Sequence, residues 1–281
     1  MPAHGCLGGG RTHPQSCPPE TGYQPALNAP TGLPGTAQRF PTGLDGTAQF
    51  GLCHPENVTS HEPQQPTSRV ADVIALDEVM RSLASVRPLF HSEADLQFAF
   101  AQQLERLAPS LRCRLEVPRP REGRRSEYLD LVCWGPGVST AIEFKYFTRP
   151  WTGEAKGEQY RLRAHAATDL ARFYFVNDIV RLEREALIGG PNGLAIMLTN
   201  EPRLWAPPTK GRRTNDWAYR IHDASVLSGT LEWGNGYAAN RRELAGAYEA
   251  RWQDFSTVDD GPGGQFRWLA IPVKAPTSMQ P

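Results

Sequence analysis

The chain has 281 residues and carries 30 Lys and Arg against 30 Asp and Glu, so its formal net charge at pH 7 is zero. Hydrophobic residues make up 40% of the chain, and no apolar run approaches the roughly 18 residues of a membrane span. Composition therefore excludes a wholly disordered chain and a membrane-spanning one, and the balanced charge indicates no particular partner. The first residues lack the basic start and apolar stretch of a secretory signal, so we expect a cytoplasmic protein.

The N-terminal segment has the composition of a disordered tail. Residues 1–68 contain 11 Pro and 10 Gly and keep neither a helical nor a strand period. Such a segment buries too little apolar surface to offset an ordering entropy of roughly 1 to 2 kcal/mol per residue. We predict a disordered tail over 1–68, one folded domain over 69–275 and a short tail over 276–281. A translation start further along the chain is an alternative explanation, because regular patterning begins near Val70.

Two amphipathic helices and three strands are predicted next. Apolar residues recur at helical spacing from Val70 to Leu83, and a second helix opens after the N-cap Ser92 and ends at Pro109. Strand-like runs follow over 111–117, 128–134 and 140–147. A short loop rich in turn-forming residues joins the last two runs, which predicts an antiparallel hairpin.

The second half of the chain completes an α/β pattern. A long helix is predicted over 159–187, and its charges spaced three apart, Asp169 with Arg172 and Asp178 with Arg181, indicate a solvated face. A run that is apolar on both faces predicts a central strand. The strands predicted from here on are 193–200, 218–221, 229–233 and 266–273, with a helical piece over 241–252. The order α, β, β, β, α, β predicts one α/β domain with additions.

Three residues of the predicted hairpin form a candidate site. Side chains alternate along 140–147, so Glu143 and Lys145 point to one face of the sheet and the apolar residues between them to the other. Asp130 lies on the partner strand, where its carboxylate and that of Glu143 would give a divalent cation two hard oxygen ligands. Mg²⁺ suits such a site, Mn²⁺ is a second candidate, and a neighbouring Lys can neutralise charge building on phosphorus. The alternative is a same-face ion pair on a solvated sheet, worth at most about 1 kcal/mol.

Asp130 followed by Glu143-Phe144-Lys145 after a hairpin, with Glu93 on a preceding helix, resembles the PD-(D/E)xK nuclease superfamily. The resemblance spans residues 90–200, and Leu129 stands where the family name has Pro. It implies a restriction-endonuclease-like core, αβββαβ, with a mixed central sheet flanked by helices. Asp130 and Glu143 would be metal-binding acids, Lys145 the catalytic lysine and the Phe144 carbonyl a further metal ligand, while Glu93 matches an acid that often joins the metal site.

The function implied by this resemblance is a Mg²⁺-dependent nuclease that hydrolyses phosphodiester bonds through a metal-bound water, with DNA as the expected substrate. The alternative is a catalytically inactive subunit that keeps the fold and binds nucleic acid or serves a defence system. A homodimer would supply the two active sites that a double-strand cut often needs. A second triplet, Glu154-Ala155-Lys156, is predicted to lie in a polar loop without an upstream acid in register, and so serves as an internal control.

Clustered arginines are the predicted contacts to the phosphate backbone of nucleic acid. One basic run precedes the hairpin over 119–125, and another follows at 210–213. Further arginines stand near the start of the predicted long helix. The residues predicted to bind nucleic acid are Arg124, Arg125, Arg161, Arg163, Arg212 and Arg213. Cys113 and Cys133 lie in apolar runs, where we expect them to be small buried residues rather than metal ligands.

Overall fold

A computed structural model describes residues 68–121, 123–165, 167–209, 213–234 and 236–274. Apart from Ser68, the predicted tails over 1–68 and 276–281 lie outside these residues. The described part is a mixed α/β structure with a six-stranded mixed sheet and few helices. None of its helices combines the length and the apolar character needed to cross a membrane.

Helices and strands account for most of the described residues. The helices are α1 (Leu76–Val86), α2 (Glu93–Leu107), α3 (Thr168–Leu187) and α4 (Pro202–Trp205), with 3₁₀ turns at Trp217–Tyr219 and Ala238–Asn240. The strands are β1 (Arg69–Val70), β2 (Ile74–Ala75), β3 (Arg112–Arg121), β4 (Arg124–Trp134), β5 (Ser139–Phe147), β6 (Trp151–Ala155), β7 (Glu158–Leu162), β8 (Asn192–Thr199), β9 (Val226–Leu231), β10 (Arg242–Glu249), β11 (Trp252–Thr257) and β12 (Gln265–Val273).

The central sheet has the strand order β11-β12-β8-β5-β4-β3. All neighbours are antiparallel except β5 and β8, which run parallel from the pair Thr140–Asn192 to the pair Phe147–Thr199. A parallel pair needs a crossover connection, and α3 lies in the segment that provides it. The predicted β4–β5 hairpin and the predicted central position of β8 are both confirmed.

Helices cover both faces of this sheet, so that two apolar cores form. On one face α1 and α2 pack, and the rings of Phe100 and Phe144 meet edge to face at 5.2 Å between centroids. On the other face α3 packs on β5 and β8 through residues such as Ile179, which is fully buried. α3 lies so close to β8 that a Cβ at Gly193 would stand 2.8 Å from the Cβ of Leu182. Burying such large side chains contributes about 1.5–3 kcal/mol each, so the two cores supply most of the stabilisation.

The start of the first predicted helix is wrong. Residues 69–75 form two short paired strands, β1 and β2, and α1 begins at Leu76 rather than near Val70. Ala71 and Asp72 between these strands both have positive φ, 47° and 55°, which a helix does not accommodate. The second predicted helix is confirmed, since the Ser92 hydroxyl accepts the Asp95 N–H at its N-terminus.

The start of the long predicted helix is also wrong. Residues 159–162 belong to the β6–β7 hairpin, and α3 begins only at Thr168. Lys156 and Gly157 both have positive φ, 53° and 79°, which suits the tight two-residue turn of a hairpin. The second Glu-x-Lys triplet therefore begins on β6 and ends in this turn instead of lying in an open loop, and Glu154 accepts a hydrogen bond from Gln159 across the hairpin.

Two predictions in the last third fail as well. The sequence predicts a helical piece over 241–252, but most of it forms β10, which pairs with β9 through a bulge between Leu244 and Ala247. The predicted strand 218–221 is largely a 3₁₀ turn. The strands predicted at 229–233 and 266–273 are present in part or in full as β9 and β12. Strand pairing determines the structure of the 241–252 segment, because pairing of β10 with β9 overrides a local helical period.

Candidate active site

The candidate site forms where β4 and β5 separate. Their pairing runs from Trp134–Ser139 to Leu131–Ile142 and stops there. Beyond that point carboxylates take the place of a partner strand along β5. Asp130 Oδ2 accepts the Phe144 N–H at 2.8 Å, and Glu93 Oε2 accepts the Tyr146 N–H at 2.7 Å. Two acids from different elements are thus fixed against one short stretch of backbone.

A local distortion of β4 points Asp130 toward β5. Residues two apart on a strand normally share a face, yet Leu129 packs in the core beside α3 and Leu131 in the core beside α2. The position opposite Asp130 on β3 is Glu116, which has a φ of 51° and interrupts the β3–β4 pairing. Positive φ at a non-glycine residue costs on the order of 1–3 kcal/mol and is concentrated at functional sites. The strained backbone therefore lies on β3, opposite the residue that would hold a metal.

Glu143 and Lys145 project to the α3 side of the sheet, as their alternation predicts. Lys145 Nζ lies 2.7 Å from Asp178 Oδ2 on α3 and donates to the Phe144 carbonyl at 2.9 Å. Arg181, one turn further along α3, donates to Glu143 and lies 3.3 Å from Asp178 Oδ1. The apolar residues Ile142 and Phe144 belong to the opposite core. Asp130, Glu143 and Lys145 are thus brought together, and Glu93 joins them through its contact with β5.

The site holds more negative charge than its own cations balance. Four carboxyl groups, of Glu93, Asp130, Glu143 and Asp178, surround the two cations Lys145 and Arg181. Burial, followed by repulsion from Asp130 and Asp178, raises the pKa of Glu143 to about 10, against the opposing effect of Arg181. Burial also raises the pKa of Asp178 to about 6, although Lys145 lowers it.

Glu93 and Lys145 respond to the same surroundings. Burial raises the pKa of Glu93, although Lys145 and the Tyr146 N–H oppose the shift. Burial acts to lower the pKa of Lys145, but the Asp178 and Glu93 carboxylates outweigh it and the net shift is upward. Lys145 is therefore held as a cation, while burial favours the neutral forms of Glu93, Glu143 and Asp178.

The donor set fits a hard divalent cation. Glu143 Oε1 is buried and has no hydrogen-bond partner in the described structure. Asp130 is held on the Phe144 N–H and the Phe144 carbonyl accepts from Lys145, so two carboxylates and one main-chain oxygen are candidate ligands for Mg²⁺, which usually binds one or two carboxylates and water. No group of three His, Cys, Asp or Glu side chains in the described ranges is arranged to hold a metal. The fit therefore depends on the carbonyl and on water or substrate oxygens to complete the coordination.

No family model, curated protein or solved structure matches this chain. The geometry of the site therefore carries the functional argument.

Those residues predicted to bind nucleic acid that the structure describes lie on different elements of the chain. Arg161 and Arg163 are exposed, but they lie on β7 and just after it, not on the long helix. Arg213 is exposed at the start of a described range, and Arg212 lies outside the described residues. Arg124 and Arg125 begin β4.

Earlier arginines of the first basic run are ion-paired. Arg121 lies 3.1 Å from Glu127 and 2.9 Å from Glu185, and Arg119 lies 3.2 Å from Glu185. These pairs neutralise much of the charge that the run presents in the sequence. Cys113 and Cys133 are buried, as expected, and face each other across β3 and β4 as free thiols with their sulfurs 3.2 Å apart.

Sequence reasoning missed two members of the site and one buried pair. The prediction that Asp178 and Arg181 lie on a solvated face is wrong, because Asp178 is buried against Lys145 and Arg181 reaches Glu143. Asp178 falls within the apolar stripe of α3 beside Ile179, and a charge in such a stripe is the signal that would have found it. Arg172 is likewise buried, paired with Asp216 at 2.5 Å.

Proposed function

We propose that this protein is a Mg²⁺-dependent nuclease with a restriction-endonuclease-like core. The carrying observation is the convergence of Asp130, Glu143 and Lys145 where β4 and β5 separate, with an unpartnered buried oxygen on Glu143. The order α2-β3-β4-β5-α3-β8 supports the αβββαβ core, with the β6–β7 hairpin as an insertion. The alternation of acids and cations supports chemistry on a phosphodiester rather than on a neutral substrate.

Asp130, Glu143 and the Phe144 carbonyl would hold the metal ion, with Glu93 close by. When bound, Mg²⁺ would supply a Lewis acid that polarises a phosphoryl oxygen and makes water a stronger nucleophile. The chain's own groups do the rest. Lys145 is held as a cation by Asp178 and can donate a hydrogen bond to a phosphoryl oxygen, stabilising the charge that develops as the P–O bond of the leaving group breaks.

Asp178 and Arg181 position the two side chains that would act on the phosphate, Lys145 and Glu143. Asp178 fixes the Lys145 ammonium, which also donates to the Phe144 carbonyl, and so sets the direction in which its one remaining N–H points. Arg181 holds one oxygen of Glu143 and leaves the other free. We describe both as positioning residues, because they contact the site's side chains and not the phosphate.

The second candidate is a nuclease-fold protein that binds nucleic acid without cutting it. One observation favours it: Lys145 and Glu143 already have protein partners of opposite charge, Asp178 and Arg181. A Glu143 carboxylate that Arg181 already neutralises has less need of a metal. The two candidates differ in whether Mg²⁺ binds and whether Glu143 affects turnover.

The test is cleavage of end-labelled single- and double-stranded DNA and RNA by the full chain with Mg²⁺, Mn²⁺ or EDTA. We expect metal-dependent cleavage, and a loss on the order of 100-fold or more in Glu143→Gln and Lys145→Ala, since each removes charge stabilisation from the reacting centre. Calorimetric titration with MgCl₂ should give a binding heat for the wild type and none for Glu143→Gln.

The second Glu-x-Lys triplet offers matched controls. Glu154→Gln and Lys156→Ala make the same chemical changes on the β6–β7 hairpin, and we expect both to keep wild-type activity. Cleavage of no substrate with either metal, or equal loss in the two triplets, would reject the nuclease. If the wild type is inactive and Glu143→Gln binds oligonucleotides with the same affinity as the wild type, the result would favour a protein that binds nucleic acid without cutting it.

A further inference from the structure

A cavity of about 400 Å³ opens beside Lys145 and adjoins the predicted metal site at Glu93. Glu93 and Lys145 line one end of it, where the Lys145 ammonium is held. The remaining wall is mostly apolar and includes Phe147, Leu170 and Tyr174. The volume is within the roughly 300–1,000 Å³ of small-molecule sites. One charged end and an apolar body are the features of a site for an amphipathic group.

Two large apolar side chains are exposed at this cavity. Tyr174 is 51% exposed and Leu170 is 41% exposed, both on α3. Leu170, Tyr174 and Asp178 are spaced by four residues, so they lie along one face with successive side chains about 6 Å apart. The Tyr174 ring therefore stands one helical turn from the carboxylate that holds Lys145.

The wall opposite α3 is held in place by hydrogen bonds to Thr148. The Thr148 carbonyl accepts the His165 N–H at 2.8 Å, its hydroxyl donates to the Arg163 carbonyl at 2.8 Å, and its N–H donates to His165 Nδ1 at 3.0 Å. Since Nδ1 accepts, the ring carries its proton on Nε2, which is a donor. The exposed imidazole thus adds one hydrogen-bond donor to an apolar wall that these hydrogen bonds hold in place.

We infer that this cavity binds an unpaired nucleobase adjacent to the phosphate at Lys145, so that the enzyme acts on single-stranded or frayed nucleic acid. This rests on the proposed nuclease function. An aromatic ring, an aliphatic side chain and a donor beside a cation match the flat face, edge and linked phosphate of one nucleotide. A base within a duplex would have to leave its stack to enter, which costs a few kcal/mol, so that single strands are preferred.

The test compares the full chain with Tyr174→Ala and Tyr174→Phe on end-labelled single strands and blunt duplexes of the same sequence, in DNA and in RNA. We expect the wild type to prefer single strands and Tyr174→Ala to lose on the order of 10- to 100-fold in kcat/KM, mainly through KM. Tyr174→Phe keeps the ring and should stay near wild type. Tyr237→Ala, an equally drastic change at a tyrosine that is 72% exposed elsewhere, is the matched control.

Abasic substrates locate the base. Single abasic nucleotides on either side of the cut should include one position that reproduces the Tyr174→Ala loss, with no additional loss when the two are combined. If neither Tyr174→Ala nor any abasic position changes the cleavage rate, the proposed base site is wrong, whereas the proposed nuclease function is unaffected. Absence of metal-dependent cleavage of any nucleic acid overturns both.

Discussion

Replacing Glu143 by Gln separates the metal site from the stability of the fold. The pKa of Glu143 is raised from its ordinary value of 4.5 to about 10 by burial and by the neighbouring acids. Between these values the unfolded chain releases a proton that the folded chain keeps, so the free energy of unfolding falls as pH rises through this window. At pH 7 the gap from 4.5 is about 2.5 units, and at about 1.4 kcal/mol per unit this amounts to at most about 3 kcal/mol.

Glutamine occupies the same volume and carries no titrating proton, so it removes this penalty. In EDTA at pH 7, we expect Glu143→Gln to be more stable than the wild type by up to about 3 kcal/mol. At pH 4, where the carboxyl is protonated in both states, the two proteins should be nearly equal. Urea denaturation at both pH values measures the difference.

Mg²⁺ should reduce this difference. Binding to the folded wild type stabilises it by about 1.4 kcal/mol at tenfold excess over Kd, because the metal requires the ionised carboxylate. Glu143→Gln should show no such gain, and Glu154→Gln should match the wild type throughout. A Glu143→Gln protein that is less stable than the wild type in EDTA at pH 7, or that Mg²⁺ stabilises as strongly, would refute the reasoning.

Three further predictions concern substitutions of Asp178, Arg172 and Gly193. Asp178→Asn should lower kcat on the order of 10-fold or more, because the substitution removes the carboxylate that holds Lys145. Calorimetry should show that Mg²⁺ binding is retained, because the proposed metal ligands are unchanged. Arg172→Met should cost about 3–5 kcal/mol in urea denaturation at pH 7, since it leaves Asp216 buried without its main partner. Asp216 has a lowered pKa through Thr214 and Arg172, although burial opposes the shift, so wild-type stability should fall as pH drops through that pKa, and Arg172→Met should lose less on acidification. Gly193→Ala should cost about 1–3 kcal/mol by thermal denaturation, because its Cβ would press on α3.

Much of the sheet was predictable because its strands carry local signals. β4 and β5 alternate or run apolar between turn-forming residues, and β8 is apolar on both faces, so their identity and pairing follow from the sequence. The β6 segment was predicted as a polar loop, and β7 and β10 were predicted as helical because their apolar residues also fit a helical period. The positive φ of Lys156 and Gly157 in the β6–β7 turn and the pairing of β10 with β9 decide for strands.

The site was predictable in part for the same reason. Glu143 and Lys145 follow from strand alternation, and Asp130 from the hairpin. Asp178 and Arg181 were not assigned to it, because their contacts cross from α3 to β5 and depend on how the helix lies on the sheet. A three-residue spacing of opposite charges does not distinguish a solvated pair from a buried one.

The two acids at the free edge of β5 differ from Glu143 in what they do for the fold. Asp130 and Glu93 each accept a main-chain hydrogen bond, so we expect a related protein without nuclease activity to retain both residues for the stability of the fold. Glu143 completes none in the described structure and is held in an unfavourable buried setting. Under the proposed function, related sequences that retain Asp130 but replace Glu143 would be inactive as nucleases, so Glu143 is the more informative residue for distinguishing active relatives from inactive ones.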